Sequence, residues 1–370
     1  MRLWLMVFLC FVSFQSLADI CHWSQWNKFK QEYVHHGRVI DGSDPRLITT
    51  SEGQSYALFF ALVANDKKAF SDIFNWTQQN LAGGDLSAQL PAWLWGMNTS
   101  TDKFGVLDSN SASDSDLWIA YSLIEAGRLW KNFYYQSVGY LLAERILREE
   151  TVMLDNGQRQ LLPGAKGFIN GPHHYRLNPS YAPLQLLKRM SVLYPASGWG
   201  NMYHSTQSML THVMPKGFSP DWVRVNNGDY FPDEHSGVTG SYNAIRTYLW
   251  VGMLNEADPY KKILVNMMAP MIFATDKLGA PPEKVNSQSG TYSKPGNAGF
   301  SAALLPLLSS IDPLLCKAQL SRVNALLITN GYSHYYENVL ALFGLGWIQH
   351  QFRFGSNGEL QPQWSSQQCV

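Results

Sequence analysis

The residues of this sequence best suited to chemistry are a few carboxylates that lie among small and aromatic residues. Glu52 lies in segment 49–56, directly before an apolar run with helical spacing. A glutamate packed against aromatic rings has a raised pKa and stays protonated near neutral pH, so it can act as a general acid. The alternative is a plain helix start, in which Thr50 or Ser51 caps the helix and the helix dipole favours the acidic residue.

Two further polar segments also precede apolar runs. Segment 107–116 contains Asp114 and Asp116, and because these are two positions apart, we expect at most one of them to face a given site. Segment 240–246 contains Asn243, with Arg246 one helical turn later. Taken alone, these residues favour capping roles, with Asp or Ser capping the first helix and Asn243 capping the second.

Four loops combine tryptophan or tyrosine with glycine or proline, at residues 91–96, 178–181, 197–200 and 219–222. They include Trp93, Trp95 and Tyr181. A ring beside Gly or Pro at a helix boundary is expected to be less buried than a mid-helix ring, so some of these rings should line a groove. Core packing is the alternative for each. Several such loops at one end of a helical array would form a cleft for a polymer of flat, hydroxyl-rich rings.

The elements that must position these residues are mainly helical. Apolar residues recur three and four positions apart in a series of runs, at residues 56–63, 70–77, 118–130, 133–146, 183–193, 242–254, 261–271, 300–308, 320–327 and 335–348. Strand patterns are scarce, with short hairpins expected near 159–162 and 223–225. Since no linker divides the chain, the sequence predicts one all-α domain whose helices form a toroid or a solenoid-like array.

Composition and motifs exclude several function classes. The chain of 370 residues has 28 Lys+Arg against 28 Asp+Glu, and it lacks the basic excess that nucleic-acid binding requires. It contains no glycine-rich phosphate loop, no dinucleotide-binding GxGxxG after a strand and no HExxH zinc motif. The adjacent pairs His35-His36 and His173-His174 suit surface loops better than metal ligation. No metal or other cofactor is implied.

The first 18 residues have the features of a secretory signal peptide. Arg2 precedes an apolar run over 3–14, and segment 16–18 (Ser-Leu-Ala) fits a cleavage site. The run is shorter than the about 20 apolar residues that span a bilayer, and no later stretch is apolar enough to do so. We therefore expect a mature chain from Asp19 in the periplasm or secreted, with an uncleaved anchor as the alternative.

Cysteine usage agrees with export. Cys21 and Cys369 stand near the two mature ends, and a disulfide between them would close almost the whole chain. We predict that pair. Cys316 lies in an apolar run and is expected to be a buried free thiol.

Several of these segments together resemble one family. Residues 48–56, 91–96, 107–116 and 241–246 resemble family 8 glycoside hydrolases, most of all the periplasmic endoglucanases of bacterial cellulose-synthesis operons. The similarity runs from about Cys21 to the C-terminus, and it includes segments 216–222, 281–285 and 342–344. The resemblance implies an (α/α)6 barrel of six inner and six outer helices with a cleft at one end, formed by residues 19–370.

The resemblance also implies hydrolysis of β-1,4-glucan with inversion, and an association with a cellulose synthase or export complex. Glu52 matches the general acid. Asp114 matches the first Asp of the family signature, and we expect it to hold sugar hydroxyls at the cleavage subsite. Tyr242 and Arg246 match residues of the cleft, beside the aromatic candidates Trp93, Trp95 and Tyr181.

The departure from the family pattern is Asn243. Close members of the family have Asp there as the general base, and a neutral amide can orient a water but cannot take its proton. Asp229, Asp233 and Glu234, in the loop before it, are candidate alternative bases. The outcomes left open are a relocated base, a slow enzyme or an impaired glucan-binding relative. A hydrolase of chitosan or xylan is a further alternative.

Overall fold

The structure is a computed structural model and describes residues 23–366. The predicted signal peptide and the predicted Cys21–Cys369 disulfide lie outside these residues. Within the described part of the chain there are thirteen α-helices: α1 Ser24–Tyr33, α2 Ser51–Val63, α3 Lys67–Leu81, α4 Ser113–Trp130, α5 Phe133–Glu149, α6 Leu184–Leu193, α7 Trp199–Val213, α8 Ile245–Gly252, α9 Lys261–Met267, α10 Ala269–Leu278, α11 Ala298–Ser309, α12 Pro313–Leu326 and α13 Tyr335–Ile348.

Short antiparallel strands lie in the connections between these helices. They are β1 Val34–His35, β2 Arg38–Val39, β3 Thr49–Thr50, β4 Leu94–Asn98, β5 Lys103–Asp108, β6 Thr151–Met153, β7 Arg159–Leu161, β8 Ile169–Gly171, β9 His174–Leu177, β10 Val223–Asn226, β11 Asp229–Pro232, β12 Thr239–Gly240, β13 Pro282–Asn286, β14 Tyr292–Pro295, β15 Phe352–Phe354 and β16 Leu360–Pro362. Three sheets have more than two strands, in the orders β3-β4-β5, β11-β10-β9-β8 and β12-β13-β14.

Six helices form a closed inner ring. Contacts run from α2 to α4, α6, α8, α11 and α13 in turn, and rings of α2 and α13 meet where Phe60 lies 4.6 Å from Phe343. Helices α2 and α11 are apolar around almost their whole circumference, as expected of helices surrounded by protein. The predicted (α/α)6 barrel is confirmed by this ring.

The remaining helices form the outer layer. Helices α1, α3, α5, α7 and α12 each pack against one inner helix, and α9 and α10 together occupy the sixth outer position. The outer helix α3 is amphipathic, and its buried residues include Phe70, Ile73 and Phe74 at helical spacing. None of the helices within residues 23–366 is both long and apolar enough to cross a lipid bilayer.

The centre of the barrel is a cluster of aromatic rings. Tyr56, Trp118, Trp250 and Phe343 come from four different inner helices, and their neighbouring ring centroids are 5.1–6.2 Å apart. Edge-to-face aromatic pairs of this kind contribute about 0.5–1.5 kcal/mol each beyond the burial of their surface. The high aromatic content of the sequence is therefore used largely in the core, which holds the inner helices in fixed positions.

The structure corrects two expectations from the sequence. Helix α7 begins at Trp199, in a segment that we predicted to be an aromatic loop, and the Trp199 side chain is fully buried. Strands are more numerous than predicted, although the hairpins expected near 159–162 and 223–225 are present as β7 and β10. Cys316 is buried and free, as predicted.

Candidate active site

The inner helices share one direction, and their N-terminal ends form the candidate site. Five of the six are preceded by a strand of the connecting sheets, namely α2 by β3, α4 by β5, α6 by β9, α8 by β12 and α11 by β14. An open cavity of about 500 Å³ lies at this end of the barrel. Its walls are formed by Asp41, Ser43, Thr50, Glu52, Tyr181, Tyr242, Asn243, Arg246, Asn297, Ser333, His334, Tyr335, Tyr336 and Glu337.

Glu52 is the second residue of α2. Thr50 caps this helix, because its Oγ1 accepts a hydrogen bond from the Gly53 backbone N–H at 3.0 Å. The Glu52 side chain is 23% exposed and lines the cavity, with Oε2 in contact with the guanidinium of Arg246. The capping and catalytic interpretations of this segment are thus compatible, since the cap is Thr50 and the carboxylate stays available.

Arg246 is the charged centre of the site. It lies on α8 with a side chain only 5% exposed, and it forms an ion pair with Glu52. Its Nη2 also donates to Ser180 Oγ at 3.2 Å and to Asn243 Oδ1 at 2.9 Å. Asp114 Oδ2 lies 3.8 Å from the same nitrogen. One buried cation therefore connects residues of α2, α4, the loop before α6 and the start of α8.

Asp114 is buried beside Arg246 at the start of α4. Its Oδ1 accepts hydrogen bonds from the backbone N–H and the hydroxyl of Ser115, at 2.8 and 3.3 Å. Its Oδ2 has no hydrogen-bond partner among the described residues. Burial raises the pKa of Asp114 to about 7, although Arg246 acts in the opposite direction. Asp116 is buried elsewhere, against Glu150, so only one of the two aspartates faces Arg246, as the spacing predicts.

Asn243 lies in the turn just before α8 and lines the cavity. Its Oδ1 accepts from Arg246 and from Asn178 Nδ2, the latter at 3.2 Å. The prediction that Asn243 caps the helix is wrong. The capping group is Asp221, whose Oδ1 accepts from the backbone N–H groups of residues 241, 243 and 244 at 2.8–3.0 Å.

Tyrosines form much of the cavity wall. Tyr181 and Tyr242, both predicted from the sequence, line it together with Tyr335 and Tyr336. Tyr242 is 46% exposed, and its ring rests edge-on against Phe300 with centroids 5.1 Å apart. The Tyr336 hydroxyl donates to the Tyr242 carbonyl at 2.6 Å, which fixes this part of the wall.

Trp93 and Trp95 are not among the residues that line the cavity. The Trp95 ring is stacked on Phe104 at 5.2 Å, with the guanidinium of Arg38 4.3 Å from its centroid. The Trp93 carbonyl accepts from the Ser51 N–H at 3.0 Å, so the loop that carries both tryptophans is attached to the start of α2. Their role in binding substrate stays a prediction.

The three candidate alternative bases also lie outside the cavity wall. The Asp233 carboxylate pairs with Arg176 at 2.7 Å and accepts a hydrogen bond from the Ser236 backbone N–H. Burial raises the pKa of Asp233, but these contacts outweigh it and hold the pKa far below the usual value. Glu234 is exposed and pairs with Arg224 at 3.7 Å. Asp229 is exposed beside His212 in a separate surface pocket. Their assignment as bases stays a prediction, which these positions do not support.

Several residues of the site had no clear signal in the sequence. Asp221 reaches its three backbone donors across twenty or more positions, and Ser180 reaches Arg246 across 66. Asp41 and Glu337 are further carboxylates in the cavity wall. The pair Tyr335-Tyr336 begins the apolar run 335–348, which the sequence predicts as a helix but not as part of a site. Such contacts depend on how the barrel closes.

Comparison with known proteins agrees with this arrangement. Residues 1–350 match the model of Glycosyl hydrolases family 8. A protein named endoglucanase from Escherichia coli O157:H7 is 47% identical over 358 residues, which cover 96% of this chain and 95% of that protein. An endoglucanase from Xanthomonas axonopodis pv. citri is 41% identical, covering 94% of this chain and 91% of that protein.

The crystal structure of an endo-1,4-D-glucanase from Vibrio fischeri ES114 superimposes with a TM-score of 0.89. The two sequences are 51% identical, and the alignment covers 93% of this chain and all of that one. Together with an (α/α)6 barrel that brings carboxylates to one end of its inner helices, these matches establish that this chain is a glycoside hydrolase and belongs to family 8.

Proposed function

We propose that this protein is an endo-β-1,4-glucanase that hydrolyses cellulose or a related β-glucan with inversion. The observation that carries the proposal is the placement of Glu52 and Asp114 on two neighbouring inner helices, each next to the guanidinium of Arg246 at the open end of the barrel. The relatives named above are endoglucanases, and this chain spans nearly their whole length.

Glu52 is the proposed general acid. It lines the open cavity, whereas Asp114 is buried behind it, so Glu52 is the carboxyl group that a glycosidic oxygen can reach. Its Oε2 contacts the guanidinium of Arg246. An ion-paired carboxylate carries no proton, so to act as the acid Glu52 first takes one up from solvent as it exchanges this contact for one with the bridging oxygen between two sugars, and then passes that proton to the bridging oxygen. Arg246 keeps its contacts to Ser180 and Asn243 during that exchange.

Asp114 is the proposed holder of sugar hydroxyls. Its unpartnered Oδ2 is the feature that supports this role, because a buried acceptor without a donor costs free energy until a ligand supplies one. A hydroxyl of the sugar at the cleavage point would supply that donor. Such a bond favours the distorted ring of the transition state if it shortens as the ring changes shape.

The site has an amide instead of a carboxylate at the position of the base that would activate the water. An inverting enzyme needs a base about 6.5–9.5 Å from the acid, with a water between them. Asn243 occupies the position of that base and can orient the water, but its amide takes no proton. Asp41 and Glu337 are the other carboxylates of the cavity wall. We infer slow hydrolysis, in which the proton passes to solvent or to one of these two groups.

The specific observation of an amide at position 243 also favours a second function. In that case the chain is an impaired relative that binds glucan without cutting it. The two functions differ in the products of a long incubation with cello-oligosaccharides. Slow inversion gives shorter oligosaccharides whose new reducing ends are first in the α-anomeric form, as proton NMR would detect. A binding protein gives unchanged oligosaccharide and a measurable dissociation constant.

The charge of the cavity wall bears on which sugar polymer it binds. Acidic groups outnumber cationic ones in the cavity wall, with Asp41, Glu52 and Glu337 against Arg246. A cationic polymer such as chitosan would gain from this charge, whereas cellulose and xylan are neutral. Release of reducing ends from carboxymethylcellulose, chitosan and xylan, compared at equal enzyme concentration, distinguishes the three. We nevertheless expect the glucan to be cut fastest, because the relatives named above are endoglucanases.

We also propose that the enzyme acts outside the cytoplasm, as one domain of residues 19–370 after removal of residues 1–18. The support is the apolar run behind Arg2 and the small residues Ser16 and Ala18. Trimming of glucan as a cellulose synthase or export complex delivers it would be a use for such an enzyme. N-terminal sequencing of the protein recovered from the periplasm tests the cleavage, and a start at Met1 would contradict it.

A further inference from the structure

Behind Asp114, on the side away from the cavity, two acidic side chains are buried together. Asp116 lies on α4 and Glu150 follows the end of α5, and neither has any exposed surface. The two carboxyl groups are hydrogen-bonding neighbours. Neither residue touches the cavity, and the mechanism proposed above uses neither of them.

The hydrogen-bond donors around this pair are too few for two ionised carboxylates. Ser111 Oγ donates to Glu150 Oε1 at 2.5 Å. Within residues 23–366, no other N–H or O–H group donates to Glu150 Oε2 or to either oxygen of Asp116. An ionised carboxylate can only accept, so a hydrogen bond between the two groups requires a proton on one of them.

The surrounding charges also favour a proton on one of the two carboxyl groups. Burial raises the pKa of both Asp116 and Glu150. The charge of Glu150 raises the pKa of Asp116 further, whereas the hydrogen bond with Asp116 lowers the pKa of Glu150, as expected if the proton resides on Asp116. The charged side chains that act on the pair from the neighbouring elements are Asp114 on α4 and Glu149 on α5, and both are acidic. Two like charges in contact in a buried site cannot both ionise at neutral pH.

The pair is connected to the backbone that carries Asp114. Ser111 bridges the pair to the next loop, since its hydroxyl also accepts from the Ala165 N–H at 3.0 Å. The Ser113 N–H donates to the Pro163 carbonyl at 3.0 Å, directly before Asp114. Loss of the shared proton to water would leave two negative charges in contact beside the first turn of α4. Their repulsion would push that turn away from the loop that carries Pro163 and Ala165.

We propose that Asp116 and Glu150 share one proton, and that in this state they are positioning residues that hold Asp114 beside Arg246. The inference deepens the proposed function and rests on it only for the role of Asp114. It predicts that the alkaline limit of activity depends on this buried pair in addition to the protonation of Glu52 in the cavity. The protonation itself is a property of the folded protein, with or without substrate.

Infrared spectroscopy tests the shared proton without any assay of activity. A protonated carboxyl group gives a C=O stretch that an ionised one lacks. We expect this band in the intact protein at neutral pH, its persistence in Asp114→Asn and Glu52→Gln, and its loss in Asp116→Asn/Glu150→Gln. Absence of a band that depends on the pair would overturn the inference. A band in a protein that cuts no polysaccharide would instead preserve the inference and overturn the proposed function.

The pH dependence of turnover tests the positioning role. The amide of Glu150→Gln donates a hydrogen bond at every pH, so its alkaline limit should move upward. One pH unit above the limit of the native enzyme, the variant should be more active than the native enzyme by up to about tenfold, after each is normalised to its maximum. Glu149→Gln is the matched control, because removing that charge should move the limit slightly downward. Equal limits for Glu150→Gln and the native enzyme would overturn the positioning role.

Discussion

Arg246 donates a hydrogen bond from Nη2 to Oδ1 of Asn243 at 2.9 Å, and this contact determines which way the amide faces. Asn178 donates to the same oxygen at 3.2 Å. With its oxygen held by two donors, Asn243 has only the amide nitrogen left to face a water, and that nitrogen is a donor. An aspartate in this place would keep one oxygen under the same two donors and present the other as a base.

Asn243→Asp should therefore raise turnover on β-1,4-glucan. General acid–base groups contribute typically about 10²–10⁴-fold, and we expect an increase at the lower end of that range. KM should change little, because both side chains accept from Arg246 and Asn178. The measurement is the initial rate of reducing-end release from cello-oligosaccharides. Asn243→Ala, which removes the acceptor, is the control and should not gain activity. An aspartate variant no faster than the native enzyme would show that the missing base does not limit the reaction.

Asp114 should make the folded state less stable as the pH rises. The unfolded chain releases this proton near the ordinary pKa of 3.8, whereas the folded protein holds it until about pH 7, because burial raises the pKa. Between these values the folded state binds more protons, so the contribution of Asp114 to the free energy of unfolding falls with rising pH. In urea unfolding between pH 4 and pH 7, the free energy of unfolding should fall less for Asp114→Asn than for the native protein. A fall as large as in the native protein would contradict the raised pKa.

Asp221 should stabilise the turn that carries Tyr242 and Asn243. Its Oδ1 accepts three backbone hydrogen bonds at the start of α8, so Asp221→Ala should cost about 1–2 kcal/mol of unfolding free energy, as the loss of a good helix cap does. Turnover should fall as well, since Arg246 lies on the same helix. Asp221→Asn retains an acceptor oxygen and should recover most of both losses. Thermal unfolding that is the same for Ala and Asn variants would argue against the capping role.

Tyr242 should contribute to binding rather than to chemistry. Its ring is 46% exposed in the cavity wall, where a sugar can stack on it. An aromatic contact is worth about 0.5–1.5 kcal/mol, so Tyr242→Ala should raise KM by up to about tenfold with a smaller effect on kcat. Tyr242→Phe keeps the ring and should stay close to the native KM. Phe133→Ala, on α5 at 80% exposure, is a control for loss of a surface ring away from the cavity.

The sequence predicts the inner helices well, because their apolar residues recur at helical spacing and because few alternatives exist for long apolar runs. Helix α7 is missed because Gly198 and Gly200 flank Trp199 and favour a loop. The full burial of the Trp199 ring in the structure outweighs that local preference. The positions of Glu52 and Asp114 at helix starts are also readable, since capping residues mark those boundaries.

What the sequence does not predict are the contacts made when the barrel closes. The ion pair between Glu52 and Arg246 joins residues 194 positions apart. The Asp221 cap and the Asp116–Glu150 pair likewise join segments whose proximity depends on the packing of different helices. For the same reason the sequence predicts Trp95 as a binding residue but does not predict its contacts, in which the ring is stacked on Phe104 and lies 4.3 Å from the guanidinium of Arg38. Local patterns identify the residues of a site, and the tertiary fold determines which of them meet.

The most direct measurement is the rate of reducing-end release from carboxymethylcellulose by the native enzyme and by Glu52→Gln, each also in the Asn243→Asp background. We expect the glutamine variant to lose at least about 10²-fold in turnover in both backgrounds while it still binds cello-oligosaccharides. Equal rates with glutamate and glutamine at position 52 would contradict the role of Glu52 as the proton donor.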